Sequence, residues 1–262
     1  MRRVVLAALA LALGAAPALA SSGAELPRQT WSFDGVFGRF DRPSLQRGLQ
    51  VYEEVCASCH ALQYVAFRNL ADLGFSEEQV KAIAAGYEIE DGPNADGDMF
   101  TRPGRPSDRF PAPFPNDQAA RAANNGALPP NLSLIAKARA DGPNYIYGIL
   151  TGYRDPPANA EIGEGMYFNP SMAGCITNEE TGALEGCQIA MPPPLAEGQV
   201  TYADGTPATV EQMSRDVVQF LTWAAEPTME ERKNAGAKTM IFLVILTALL
   251  YAAKRKVWAS AH

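Results

Sequence analysis

Histidine is almost missing from this chain: His60 and His262 are the only two in 262 residues. Cysteine stops at four, Cys56, Cys59, Cys175 and Cys187. A structural zinc centre takes four Cys or His ligands. Beyond Cys56, Cys59 and His60 only Cys175, Cys187 and the terminal His262 remain to complete one, so zinc is disfavoured. A basic excess is also lacking, since the formal net charge is -7. Such a chain is a poor partner for nucleic acid, whereas a basic protein can be steered toward it. There is no internal repeat and no phosphate-binding glycine motif. Gly163-x-Gly165 lacks the strand and helix that such a loop requires. Long apolar runs are confined to the two ends of the chain.

What is there is concentrated in Cys56-Ala57-Ser58-Cys59-His60. C-x-x-C-H is the attachment pattern of a c-type haem. Two thiols three apart each form a thioether to the porphyrin, and the adjoining imidazole reaches the iron. A thioredoxin-like redox pair is the competing reading of the same spacing.

The termini point to export and anchoring. Arg2-Arg3, the apolar stretch 4–13 and Ala18-Leu19-Ala20 have the n-region, h-region and cleavage site of a secretory signal, with cleavage expected after Ala20. Residues 1–20 are therefore expected to be a signal peptide. Near the other end, residues 239–253 are apolar and uncharged, followed at once by Lys254-Arg255-Lys256 and then Trp258. Fifteen helical residues cover about 22 Å of a hydrocarbon core of about 30 Å. The helix is accordingly expected to begin near Ala235, with Lys238 snorkelling. A buried soluble helix is the alternative, and the cationic cluster with its nearby tryptophan favours the membrane. The expected division is an exported domain over 21–234, a transmembrane helix over 235–253 and a cytoplasmic tail over 254–262. The domain side is periplasmic by the positive-inside rule.

Between signal and anchor the pattern is mainly helical. Leu45, Leu49, Tyr52 and Val55 share a face of a helix over 44–55 that leads into the cysteines. Shorter helices are expected over 76–85, over 131–140 with Asn131 or Ser133 as cap, and over 145–153. Residues 91–130, dense in Pro, Gly, Asn and Asp, read as a long loop. Phe100, Phe110 and Phe114 favour a loop packed on apolar surface over a disordered linker. The clearest helix covers 209–225: Thr209 and Gln212 form a capping box, and Val210, Met213, Val217, Phe220, Leu221 and Ala224 make one face. Cys175 and Cys187 lie in a Gly- and Pro-rich stretch with eleven residues between them. In an oxidising compartment they suggest a disulfide, with two free thiols as the alternative.

If His60 supplies one axial bond, His262 lies in the tail beyond the membrane span, and a second protein ligand is most simply a methionine. Met1 leaves with the signal, Met213 is on a core face, and Met229 and Met240 are at the membrane. Met99, Met166, Met172 and Met191 remain. Met191 is favoured, because Pro192-Pro193-Pro194 stiffen the chain that follows it. A methionine filling a core gap, or an open sixth position, remain the alternatives.

Taken together, WSFDGVFGRFDRPSLQRGLQVYEEVCASCH (31–60), RAANNGALPPNLSLIAKARADGPNYIYGILTGY (121–153), AMPPPL (190–195) and the C-terminal anchor resemble the cytochrome c1 family, in order and over most of the chain. The resemblance implies a mainly α, class I c-type cytochrome-like domain with long loops, holding one covalent haem c. It implies attachment at Cys56 and Cys59, with His60 and Met191 as iron ligands. It also implies that Pro130 packs near the haem, that Arg139 and Tyr145 reach toward its propionates, and that Asn124 or Asn125 lies at its edge. A Cys175 to Cys187 disulfide is implied for the bacterial members that carry this insertion. The implied role is one-electron transfer in a ubiquinol–cytochrome c oxidoreductase, from a Rieske iron–sulfur protein to a soluble or membrane-tethered cytochrome c. Cytochrome b is the implied neighbour, within a dimeric complex in the bacterial inner membrane. No acid/base or nucleophilic site of its own is expected. A free-standing tethered shuttle and a haem sensor with an open iron site are the competing classes.

Overall fold

A computed structural model of the chain describes residues 26–259, so the signal region at 1–20 and His262 lie outside the described residues. The described part is mainly helical. Helix α1 (Arg42–Glu54) starts with Pro43 in its first turn, where a missing N–H costs nothing. It buries Leu45, Leu49, Val51 and Tyr52. Helix α2 (Glu77–Ala85) is closed by a full capping box between Ser76 and Gln79. A hairpin follows, β1 (Glu88–Asp91) antiparallel to β2 (Phe100–Pro103), with Glu88 opposite Pro103. Then come α3 (Asp117–Ala123), α4 (Gly142–Thr151), two small strand pairs, and α5 (Val210–Ala225). In those pairs β3 (Tyr167–Phe168) meets β6 (Gln188–Ile189), and β4 (Ile176–Thr177) meets β5 (Leu184–Glu185).

The core is built where α1 crosses α5, with α4 against the other flank of α5. Gly48 makes the crossing possible. A Cβ there would lie 2.1 Å from the Asp216 carbonyl oxygen and 2.7 Å from Phe220 Cβ, so the backbones meet too closely for any side chain. Helix α5 is buried on nearly every side, not on one stripe only. Asp216 is fully buried yet ionically satisfied: Arg47 Nε reaches it at 2.8 Å and Arg47 also holds Asp204 at 2.7 Å. Tyr52 joins the crossing to a second aromatic group through Phe220 (5.9 Å) and Phe110 (5.8 Å), and Phe110 lies 4.5 Å from Phe67.

Three expectations need correction. The long loop over 91–130 contains β2 and α3. Arg102 ties the hairpin together by pairing with both Asp91 and Asp108, and Asn116 caps α3 through the Ala119 N–H at 2.9 Å. The helix over 131–140 is a single 3₁₀ turn, Leu132–Leu134. There the Asn131 side-chain Oδ1 accepts from the Ser133 N–H (2.9 Å) and hydroxyl (2.7 Å), a local bonding pattern that competes with helix. At α5, Thr209 caps the Gln212 N–H at 3.1 Å, but Gln212 turns its amide to Asp216 at 3.0 Å, leaving the capping box half formed.

The last helix, α6 (Met229–Trp258), starts earlier than the expected Ala235 and runs unbroken for 30 residues. Glu230 and Glu231 in its first turn and Arg255 and Lys256 in its last complement the helix dipole. It is long and apolar enough to cross a membrane, and its most apolar window is not buried against the domain. This is the single apolar spanning helix among the described residues.

Candidate functional site

The end of α1 delivers the cysteine motif as a tight turn. Cys56–Ser58 is a 3₁₀ segment in which the Cys56 carbonyl accepts from the Cys59 N–H (3.1 Å) and the His60 N–H (2.9 Å). The Ser58 hydroxyl donates to the Val55 carbonyl at 2.9 Å. Cys56 and Cys59 are both half-buried and are not bonded to each other. Burial first, and Cys59 second, push the Cys56 thiol up to about 12. A redox or nucleophilic C-x-x-C needs the opposite shift, since its thiolate is the reactive species. The environment therefore argues against a thioredoxin-like pair.

His60 is oriented from two sides. Tyr52 donates its hydroxyl to the His60 carbonyl at 3.1 Å, fixing the backbone beyond the turn. The ring Nδ1 lies 2.8 Å from the Pro130 carbonyl oxygen. A carbonyl can only accept, so Nδ1 carries the proton and Nε2 presents its lone pair. Burial lowers the His60 pKa, outweighing the opposing pull of the Pro130 bond, and keeps the ring neutral. A neutral imidazole with its far N–H held by a carbonyl is the form that ligates a metal. The Pro130 segment is itself stitched to the motif: Leu132 N–H donates to Ala61 at 2.9 Å, and Tyr64 N–H to the Ser133 hydroxyl at 3.1 Å.

Met191 is half-buried in the segment between β6 and α5. Its carbonyl accepts from the Tyr153 hydroxyl at 3.0 Å, which ties the proline-rich segment to the end of α4. The other methionines sit differently. Met99 is exposed at the hairpin tip. Met172 packs with the disulfide cluster, its sulfur accepting from the Tyr145 hydroxyl at 3.9 Å. Met166 lines an open cleft with Tyr153, Phe168 and Pro193. Cys175 and Cys187 form a disulfide, both buried beside Phe168, in the segment that precedes Met191.

The remaining residues make separate contacts. Pro130 is joined to His60, while Arg139 and Tyr145 form their own pair, the guanidinium 6.0 Å over the ring. Arg139 is otherwise exposed and donates to the Ala138 carbonyl at 3.1 Å. Asn124 is occupied in closing α3, its amide donating to the Ala120 carbonyl at 2.7 Å. Asn125 next to it is exposed and left-handed at φ 51°. Sequence reasoning missed the two tyrosines that fix backbone at the candidate ligands. Tyr52 registers in the pattern only as an apolar face residue, and Tyr153 only as a helix end.

These features fit a covalently held haem: two unpaired cysteines on one turn, an imidazole with a predetermined tautomer, and a thioether on a segment fixed at its backbone. The Cytochrome C1 family model matches residues 31–261. The chain is 48% identical to cytochrome c1 of Rhodospirillum rubrum, covering 98% of this chain and 96% of that protein. It is 49% identical to cytochrome b/c1 of Bradyrhizobium diazoefficiens over 98% of its length, but spans only 40% of that longer protein. A mitochondrial relative, cytochrome c1-2, heme protein, from Solanum tuberosum, is 54% identical over 89% of this chain and 85% of its own. With two cysteines, one histidine and one tethered methionine arranged as described, and with the family matched over nearly the whole length, the chain belongs to the cytochrome c1 family.

Proposed function

We propose that Cys56 and Cys59 would bind one haem c through thioethers, and that His60 Nε2 and Met191 Sδ would hold its iron, in a one-electron carrier subunit of a quinol–cytochrome c oxidoreductase. Covalent haem c is the cofactor of the family and electron carriage its role. The observation that carries the residue assignment is the 2.8 Å contact between His60 Nδ1 and the Pro130 carbonyl, which reserves Nε2 for a metal. Bound haem supplies a single-electron couple. The chain supplies the rest. Two thioethers prevent loss of the group, the Pro130 carbonyl holds the imidazole plane, and Tyr153 holds the backbone from which Met191 extends. Methionine with histidine ligation raises the reduction potential. On this reading Pro130 would pack near the group, Arg139 and Tyr145 would reach toward its propionates, the exposed Arg139 guanidinium being suited to one, and Asn124 or Asn125 would lie at its edge.

The expected arrangement follows from the same reading. Residues 1–20 are removed as a signal peptide, the haem domain faces the periplasm, and the tail at 254–262 is cytoplasmic, in line with its cationic cluster. The chain takes single electrons from a Rieske iron–sulfur protein and passes them to a cytochrome c, beside cytochrome b in a dimeric complex. Purification from detergent-solubilised membranes tests this. Cytochrome b and a Rieske protein should copurify with the chain, and the preparation should reduce cytochrome c with quinol. A haem-bearing chain that elutes alone and retains function would identify a tethered shuttle instead.

A further inference from the structure

Phe37 is 82% exposed and Val36 is 66% exposed, at the tip of the loop over 34–38. The flanks of that loop are rigid. Trp31 stacks on Phe33 at 5.6 Å, Phe33 meets Phe40 at 5.4 Å, and all three rings are buried. The Arg39 N–H closes the loop on the Ser32 carbonyl at 2.9 Å, and Asp34 is occupied by the Trp31 N–H at 2.9 Å. Two exposed apolar side chains are thus held out from a fixed base.

That base is tied to the first turns of α6. The Lys233 ammonium donates to the carbonyls of Phe33 and Gly38, the two shoulders of the loop. Glu230 accepts from the Phe40 N–H at 2.8 Å and from both Arg42 guanidinium nitrogens, at 3.2 and 3.0 Å. The level of these contacts relative to a bilayer follows from helix length. Lys254-Arg255-Lys256 mark one boundary of the apolar span. A hydrocarbon core of about 30 Å needs about 20 residues at about 1.5 Å each. Counting back from Ala253 brings the other boundary to the neighbourhood of Asn234, beside Lys233. The loop shoulders are therefore pinned at the depth where the helix leaves the lipid. Arg39 is exposed beside the tip, placing a cation where anionic headgroups lie. An aromatic ring and a branched aliphatic at that depth suit the boundary between headgroups and acyl chains.

We infer that Val36 and Phe37 enter the outer lipid interface beside α6, giving the haem domain a second membrane contact that fixes its tilt. The inference rests on α6 spanning the bilayer. Its test uses the full haem-loaded chain, with any copurifying subunits, in nanodiscs of phosphatidylcholine and phosphatidylglycerol. Single cysteines are introduced as Phe37→Cys, Val36→Cys, Leu249→Cys and Tyr64→Cys, and spin-labelled. The native cysteines are held in thioethers and a disulfide on the present reading. Collision with lipid-soluble oxygen, relative to a water-soluble nickel chelate, should be several-fold higher at positions 36 and 37 than at 64, and should approach that at 249. A ratio at 36 and 37 equal to that at 64 would overturn the inference. So would labels shielded from both reagents, since another protein would then cover the loop. In either case a lipid-like reading at 249 leaves the spanning helix intact. An aqueous reading at 249 as well would remove both claims.

Discussion

His60 commits its Nδ1 proton to Pro130, and Met191 commits only its backbone carbonyl, to Tyr153. The contrast makes Met191 the ligand whose side chain can be removed without dismantling the turn that bears the cysteines. Met191→Leu is expected to keep haem attached, lower the midpoint potential, and admit carbon monoxide to the reduced iron. A redox titration and a carbon monoxide difference spectrum check this, and an unchanged potential with no binding would move the ligand elsewhere. Glu53, one turn before Cys56, gives a pH-dependent counterpart. Burial raises its pKa above the ordinary glutamate value, against the bond from the Tyr87 hydroxyl at 3.0 Å. A carboxyl whose pKa is higher folded than unfolded contributes stability below its unfolded pKa. That contribution is lost as pH rises through the folded value. Glu53→Gln should therefore flatten this fall in stability as pH rises above the ordinary glutamate range, about pH 4. Denaturant titrations across that rise read the difference in slope between the two proteins.

The crossing of α1 and α5 is the element on which the site depends, because α1 ends in the haem motif. Gly48→Ala forces a Cβ into the Asp216 carbonyl and Phe220. Overpacking of this kind costs about 1–3 kcal/mol, and more when backbone is the obstacle. Thermal unfolding of the haem-loaded chain should show a lowered midpoint, while the exposed Gly236→Ala should leave it unchanged. Helices α1, α2, α4 and α5 are legible in the sequence because apolar spacing and side-chain caps are local signals. Gly48 is not, since its reason lies in a helix nearly 170 residues away. The β1–β2 hairpin is hidden for a similar cause: its strands are mostly exposed and contain no buried residue, and its fastening is the Arg102 link to Asp91 and Asp108. At Asn131 and Ser133 the residues do resemble a helix start, but their side chains close on each other and on Tyr64. For the site, C-x-x-C-H and the proline run are visible in the sequence. The partners that orient them, Pro130, Tyr52 and Tyr153, are set by tertiary contact.

Across the whole molecule the charge is uneven. Glu161, Glu164, Glu179, Glu180 and Glu185 are exposed around the disulfide-bearing segment, and Asp96 and Asp98 at the hairpin tip. Asp91, from the same hairpin, is paired with Arg102 and adds little to the outer field. If these loops steer a basic cytochrome c, its rate of encounter should fall steeply with salt, as screening shortens to about 8 Å near physiological ionic strength. Stopped-flow oxidation of the reduced chain reads this, and neutralising the five glutamates should reduce the slope. A flat dependence would assign the carboxylates to loop solvation alone. All of this presupposes a haem bonded to the chain at two defined cysteines. Mass spectrometry of the denatured, membrane-purified protein should find the polypeptide heavier by one haem, carried on the peptide that contains Cys56 and Cys59. A polypeptide that loses all its haem on denaturation, with both thiols free, would contradict the account.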